Sequence, residues 1–430
     1  MHIADLDLNE DFVRALDLLE NSEKHLLITG KAGTGKSTLL SYFRDKTKKK
    51  LVVLAPTGVA AVNVGGETIH SFFGFSPMIE VIAAKQLGAR TKKTIYERLD
   101  AIIIDEVSMV RADLLDCVDK FLKAARKSEL PFGGVRMIFL GDLYQLPPVF
   151  KEEESGLFGS VYKTFYFFGS MVIREILESG DLILVELEKV YRQKEADFLS
   201  VLNKIREGRA DYDGLNFLNK RHEVPRALLP GEIMLTSTNY LAERMNEGNL
   251  RQIDSAAKEY KGVRSGDFAE HTLPTLEKLA LKKGARVMTL NNDERGRWIN
   301  GTLGVVKELN KDTVVVRLDS GKEYEIGPYV WNVYKFMLNV SRNTVEAKEV
   351  GSFAQLPLKL AWAMTIHKAQ GKTFDKVALS LGRGAFAAGQ LYVALSRVRT
   401  YAGLTLFSKI SDEDCIVNYE VEEFLNRLRG

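Results

Sequence analysis

The chain has 430 residues, 45% of them hydrophobic, which is enough for more than one packed core. Its 60 lysines and arginines against 57 aspartates and glutamates leave a formal charge of +3, so any hold on a polyanion must come from a local groove and not from the surface as a whole. Cys117 and Cys415 have no Cys or His near them at metal-ligand spacing, and no apolar run is long enough to cross a bilayer, which argues against a disulfide framework, a zinc module and a membrane span.

The acidic start, Met1 to Asp11, has neither an apolar core nor the Arg-rich composition of a transit peptide, so a cytoplasmic setting is expected, nucleoid-associated in a bacterium. Short apolar runs then alternate with helical stretches. Leu26 to Thr29 enters a glycine-rich turn and Leu51 to Ala55 a loop; Ala101 to Ile104 ends in Asp105-Glu106, and Arg136 to Leu140 in Gly141-Asp142. Runs this short, with polar residues at their carboxyl ends, predict a parallel α/β sheet with a site along that edge. The texture returns at Leu182 to Val185, Ile233 to Leu235, Val377 to Leu381 and Leu404 to Phe407, which predicts a second α/β domain. Between Lys283 and Ala354 lie two hairpin signals, Asn300-Gly301 and Asp319-Ser320-Gly321-Lys322, and alternating strands such as Val314 to Leu318. The expected layout is a first domain over 1–175, a second over 176–282 and 355–430, and a small β-barrel inserted over 283–354.

Gly30-Lys31-Ala32-Gly33-Thr34-Gly35-Lys36-Ser37 fits G-x-x-x-x-G-K-[ST] between a strand and a helix, with Thr38 following. Such a loop wraps backbone N–H groups around phosphates; Lys36 adds a point charge and the Ser37 hydroxyl a ligand for Mg²⁺. Of the carboxylates after the buried run, Asp105 suits the metal side and Glu106 the attacking water. No Asn-Lys-x-Asp guanine reader occurs, but a phosphate loop by itself does not name the substrate.

Later blocks do. Gly141-Asp142-Leu143-Tyr144-Gln145-Leu146-Pro147-Pro148-Val149 resembles helicase motif III. With Asp105-Glu106-Val107-Ser108-Met109, Ala361 to Gly371 (AWAMTIHKAQG) and Leu391 to Val398 (LYVALSRV), the chain resembles the superfamily-one DNA helicases of the Pif and RecD branch. The segment Asp116 to Arg136, with Pro131-Phe132-Gly133-Gly134, is similar to the element that marks the Pif type, the petite integration frequency family. The resemblance runs from about Leu26 to Phe407 and implies two RecA-like motor domains with an SH3-like barrel in the second. It also implies use of ATP and Mg²⁺, and 5′-to-3′ movement on single-stranded DNA. Members of the family open G-quadruplexes and work at forks and telomeres, in repair and recombination, so single-stranded, forked and G-quadruplex DNA are candidate substrates for a monomeric motor.

The resemblance also assigns candidate roles. Gln145 senses the γ-phosphate, Arg192 and Arg397 act as arginine fingers from the second domain, and Gly371 lies by the nucleotide. Gln390 and Arg397 are seven apart, which predicts one shared helix face. For DNA, Pro56, Thr57, Gly58, His70 and Ser71 offer phosphate contacts, and Phe72, Phe73 or Phe75 offer base stacking. Thr365, His367 and Lys368 add contacts from the second domain, and Arg297 and Lys335, beside Trp298 and Trp331, from the insertion. One departure stands out: the branch carries an adenine-reading Gln ahead of the phosphate loop, whereas Leu8 to Arg14 here has none, so strict adenine preference is not expected. The large N-terminal extension of some relatives is also missing, as in a bare motor core. The alternative is an ATP-gated DNA-binding clamp that never unwinds; the complete motif set argues against it.

Overall fold

The computed structural model describes residues 9–76, 79–92, 94–149, 161–191, 195–268, 273–298, 300–339 and 344–430, without the side chains of 59, 63, 334–339 and 344–348. Two compact units emerge, the first comprising Met1–Arg192, Val333–Glu349 and Asn418–Gly430, the second Gln193–Asn332 and Val350–Val417.

In the first unit, β1 (His25–Gly30), β2 (Leu51–Ala55), β3 (Glu67–Thr68), β4 (Ala101–Ile104), β5 (Arg136–Gly141) and β6 (Leu182–Leu187) form one parallel sheet in the order β3-β2-β4-β5-β1-β6. A parallel sheet is covered on both faces, so its strands carry no polar alternation. Successive residues instead go to two different cores. Leu27, Val52, Leu54, Ile102, Ile104, Met137 and Phe139 join the helix Ala112–Arg126 on one side, while Leu26, Ile28, Val53, Ile103, Ile138 and Leu140 join the helices Glu10–Asn21 and Lys36–Lys46 on the other. Each such side chain is worth about 1.5–3 kcal/mol when fully buried.

The Pif-type segment braces this unit. The Asp116 carboxylate accepts from Met171 N–H (3.0 Å) and Val172 N–H (3.1 Å), capping the helix Met171–Glu178. Asp119 accepts from Phe132 N–H (2.8 Å), and Arg126 Nε donates to the Gly133 carbonyl (2.7 Å). Phe132 sits at φ 53° and Gly133 at 62°; a Cβ on Gly133 would lie 2.6 Å from the Leu122 carbonyl, so only glycine fits there.

Two domain expectations need correction. Leu182–Leu187 is not a strand of the second sheet: it pairs in parallel with β1 across six registered residues, so the boundary falls beyond 175. The C-terminal helix Tyr419–Arg429 also belongs to the first unit, where Phe424 stacks on Phe168 at 4.4 Å.

The second unit holds β7 (Glu232–Thr236), β8 (Lys258–Lys261), β9 (Val263–Gly266), β10 (Lys278–Leu281), β11 (Arg286–Thr289), β12 (Leu303–Leu309), β13 (Val314–Leu318), β14 (Glu323–Ile326), β17 (Leu358–Leu360), β18 (Ala363–Thr365), β19 (Lys376–Ser380) and β20 (Leu404–Leu406), with the second half of β16 (Thr344–Gln355) and the start of β15 (Tyr329–Asn339). Its parallel sheet runs β18-β7-β19-β20. The inserted module is a five-stranded antiparallel sheet, β14-β13-β12-β11-β17, packed over Val287, Trp298, Val316 and Leu358. Gly301 (φ 97°) and Gly321 (φ 86°) make its turns where the hairpin signals lie. It ends later than expected, because β17 closes it, while β15 and β16 leave to form a separate sheet in the order β15-β16-β9.

Candidate functional site

At the carboxyl end of β1 the chain turns through Gly33 (φ 85°) and Gly35 (φ 88°) into the helix Lys36–Lys46. Gly35 is the cap of that helix and makes no side-chain capping bond, so the first-turn amides of Lys36, Ser37 and Thr38 face an anion-binding position. A Cβ on Gly30 would lie 2.6 Å from the Leu187 carbonyl and 2.7 Å from Thr34 Oγ1, which explains why glycine opens the loop. The Thr34 hydroxyl donates to the Lys31 carbonyl at 3.0 Å. The Lys36 ammonium donates to the carbonyls of Gly30 (2.7 Å) and Lys31 (3.0 Å), a cation held over the loop. Phe12 packs under Gly35, 3.1 Å from where its Cβ would be, and Tyr191 N–H donates to the Gly33 carbonyl at 2.9 Å. The segment before Arg192 is thereby tied to the loop; Arg192 itself lies outside the described residues. It follows the first sheet in the chain and not the second, contrary to expectation.

Asp105 and Glu106 leave the end of β4. Asp105 is buried, and burial together with the Glu106 carboxylate pushes it up to about 7 against the pull of Lys36. Glu106 adopts a left-handed backbone, φ 52° and ψ 44°, which for a non-glycine residue is strained by about 1–2 kcal/mol. The Thr29 and Ser108 hydroxyls are buried with no hydrogen-bond partner among the described residues. A buried carboxylate beside a half-buried one, with one lysine and two buried hydroxyls, suits a divalent cation and a polyphosphate. Ser37 and Asp105 would hold Mg²⁺, whose charge would offset that of the phosphates. Thr29 went unnoticed in the sequence, because no motif lettering distinguishes a strand-end threonine.

At the end of β5, the buried Asp142 organises a tight turn. Gln145 N–H donates to its carbonyl (3.0 Å) and Gln145 Nε2 to its carboxylate (3.4 Å), which fixes the buried Gln145 amide at the same sheet edge as the phosphate loop and Asp105.

The DNA candidates divide. Thr57 is exposed but its hydroxyl already caps the helix Gly58–Asn63, accepting from Ala60 N–H at 3.2 Å; Pro56 and Gly58 flank it half-buried. His70 is half-buried and burial lowers its pKa, so it is a neutral hydrogen-bonding group. Ser71 Oγ donates to Glu67 at 2.7 Å. The stacking role expected of Phe72, Phe73 and Phe75 is overturned: all three are core, at 3%, 3% and 7% exposure, with Phe73 stacked between Phe75 (5.3 Å) and Tyr96 (5.9 Å). Burying three rings outweighs anything they would gain at the surface.

In the second unit, Thr365 is buried and caps the short helix Ile366–Ala369, its hydroxyl oxygen accepting from Lys368 N–H (3.3 Å). His367 is half-buried, with its pKa lowered by burial; Lys368 is exposed. Gly371 (φ 77°) has open space where a Cβ would stand. Arg397 departs furthest from expectation. It is 1% exposed, and its guanidinium donates to the carbonyls of Val393 (2.9 Å) and Lys372 (3.3 Å) and to Ser396 Oγ (2.7 Å). The helix Gln390–Leu395 ends before it, so the shared helix face with Gln390 does not form; carbonyls at that helix end claim the charge instead. Gln390 is wholly buried and accepts from Phe386 N–H at 3.0 Å. In the insertion, Arg297 is not a spare cation. It makes a two-pronged bond to Asp293 (2.9 and 2.6 Å) and lies 4.6 Å from the Trp298 ring centre, while Trp298 and Trp331 are buried. The Lys335 side chain lies outside the described residues.

A phosphate loop opening a helix, with Asp105-Glu106 and Asp142-Gln145 at neighbouring strand ends of one parallel sheet, defines a P-loop nucleoside triphosphatase. The PIF1-like helicase family profile matches residues 9–214. Over 439 residues the chain is 34% identical to the ATP-dependent DNA helicase Pif1 of Bdellovibrio bacteriovorus, covering all of this chain and 94% of that one. It is 36% identical over 394 residues to human ATP-dependent DNA helicase PIF1, covering 88% of this chain and 57% of the human protein. Among solved structures, Bacteroides Pif1 with ADP-AlF4 superimposes at a TM-score of 0.88 with 35% identity, over 99% of this chain and 98% of that one. The same protein bound to single-stranded DNA gives 0.68 at 35% identity, over 98% and 97%. The chain belongs to the PIF1-like helicase family.

Proposed function

We propose that this chain uses ATP hydrolysis to move 5′-to-3′ along single-stranded DNA and to part the duplex ahead of it. The chain is an ATP-dependent DNA helicase, and the observation that carries the assignment is the first unit's sheet edge: an uncapped helix start behind Lys36, the buried Asp105 beside the half-buried Glu106, and Gln145 held by Asp142. Lys36 holds the terminal phosphates, Glu106 orients and deprotonates the attacking water, and Gln145 reports on the γ-phosphate. With the Arg397 guanidinium committed inside its own unit, Arg192 is the arginine proposed to stabilise transition-state charge. Forked and G-quadruplex DNA are the proposed structured substrates, with a monomer as the working form, in the cytoplasm or at the nucleoid. ATPase rates with and without oligothymidylate, followed by strand displacement on a forked duplex, test this. Hydrolysis that single strands accelerate, with ATP-dependent displacement, is expected; accelerated hydrolysis without displacement would favour the clamp.

A further inference from the structure

Thr29, near the end of β1, and Ser108, in the turn after Asp105-Glu106, border the same residue, Gly141 of β5. Thr29 is the registered partner of Gly141 in the parallel β1–β5 pair. A Cβ on Gly141 would lie 3.1 Å from Val107 N and 3.5 Å from Ser108 N, so the turn rests against that glycine. Two residues earlier, the registered pair Leu27 and Phe139 joins the core beneath the helix Ala112–Arg126. Strand alternation sends Thr29 to that same face, the one on which the Val107-Ser108 turn lies. Thr29 and Ser108 are 1% and 0% exposed, and neither hydroxyl has a hydrogen-bond partner among the described residues. Asp142 follows Gly141 directly. Its carboxylate is buried too, and it accepts two long bonds, from Tyr144 N–H at 3.3 Å and from Gln145 Nε2 at 3.4 Å.

We infer that Thr29 and Ser108 are positioning residues for ATP hydrolysis: their hydroxyls take over the Asp142 carboxylate when the Gln145 amide turns to the γ-phosphate. This rests on the γ-phosphate role proposed above for Gln145. A buried carboxylate loses a donor at high cost, because bulk water does not replace the bond. Gln145 leaves Asp142 cheaply only where other donors stand by. A hydroxyl is suited to that task, since it rotates about its C–O bond and both donates and accepts. While they bond to nothing, the two hydroxyls raise the energy of the ligand-free chain, and buried groups of this kind persist where function requires them. The exchange conserves hydrogen bonds. Gln145 trades a carboxylate oxygen for a phosphate oxygen, and Asp142 trades an amide donor for a hydroxyl donor. Gly141 allows it by letting the Ser108 turn lie against β5; a side chain there would press on the Val107 backbone.

The test compares the full chain with Thr29→Val, Ser108→Ala, the double variant, and the conservative Thr29→Ser and Ser108→Thr. Thermal melting is followed without ligand, with ADP and Mg²⁺, and with ADP, Mg²⁺ and aluminium fluoride, which stands in for the γ-phosphoryl group. Hydrolysis is measured with oligothymidylate present. Removing buried hydroxyls that bond to nothing should leave the ligand-free melting temperature of the double variant at or above wild type. Protection by ADP alone should be kept, while the further protection by aluminium fluoride should shrink. In the double variant kcat should fall about tenfold with KM for ATP near wild type, and the conservative variants should keep wild-type rates. In a Gln145→Ala background the same two substitutions should change kcat no further, because the exchange is already gone. A double variant with wild-type kcat and the full aluminium fluoride shift overturns the inference. So does a ligand-free double variant that melts lower, since the hydroxyls would then serve the resting fold, or an equal further loss in the Gln145→Ala background. A wild-type kcat in Gln145→Ala alone would instead overturn the γ-phosphate role of Gln145.

Discussion

Glu106 holds a left-handed backbone that few non-glycine residues adopt, and it does so directly after a buried carboxylate. Strain of this kind persists where the surroundings impose it, and here it aims the carboxylate along the sheet edge. Glu106→Gln should bind nucleotide and single strands yet lose most turnover. Glu106→Gly should be equally inactive but more stable, by about 1 kcal/mol, because glycine accepts the left-handed backbone without cost. A near-normal rate for Glu106→Gln, seen in a phosphate-release assay, would remove Glu106 from water activation. Arg397 calls for a different experiment. Its guanidinium makes three hydrogen bonds inside the second unit, so Arg397→Ala should destabilise that unit by about 1.5–3 kcal/mol. The three tryptophans, Trp298, Trp331 and Trp362, all lie in that unit, so tryptophan fluorescence in urea reads it selectively. An unchanged urea midpoint in the variant would mean that the guanidinium is free to act elsewhere.

The elements explain which of these facts the sequence could disclose. The phosphate loop, Asp105-Glu106 and Asp142-Gln145 were legible because backbone geometry and charge leave little choice of residue there. Phe72, Phe73 and Phe75 were not: an aromatic triplet has the same lettering whether it stacks on bases or packs on Tyr96, and only the third dimension separates the two. Arg397 misled for a related reason, since a motif fixes the residue but not which acceptors reach it first. Leu182–Leu187 reads as the first strand of a new domain until its pairing with β1 is known. Strand β1 has a pH dependence of its own. His25 Nδ1 accepts from Met137 N–H at 2.9 Å, and burial pushes its pKa down to about 4 despite Asp181. The unfolded chain takes up this proton near 6.5 and the folded chain only near 4. The first unit therefore has the full contribution above 6.5 and loses it as pH falls toward 4, by on the order of 3 kcal/mol. Urea midpoints followed by far-ultraviolet circular dichroism should fall over that range, and fall less in His25→Gln, which still offers an acceptor to Met137. Equal slopes for the two proteins would show that other groups govern the acid loss.

At the scale of the whole molecule, one chain carries two parallel α/β units and an antiparallel insertion. The phosphate loop, Asp105-Glu106 and Asp142-Gln145 all lie at the carboxyl edge of the first unit's sheet. A motor built this way should track one strand with a fixed polarity. Unwinding of two otherwise identical duplexes, one with a 5′ single-stranded tail and one with a 3′ tail, with ATP and Mg²⁺ present, tests this most directly. Displacement of the 5′-tailed duplex alone, abolished in Lys36→Ala, is the predicted result. Displacement of the 3′-tailed duplex, or of neither while single strands still accelerate hydrolysis, would contradict a 5′-to-3′ helicase.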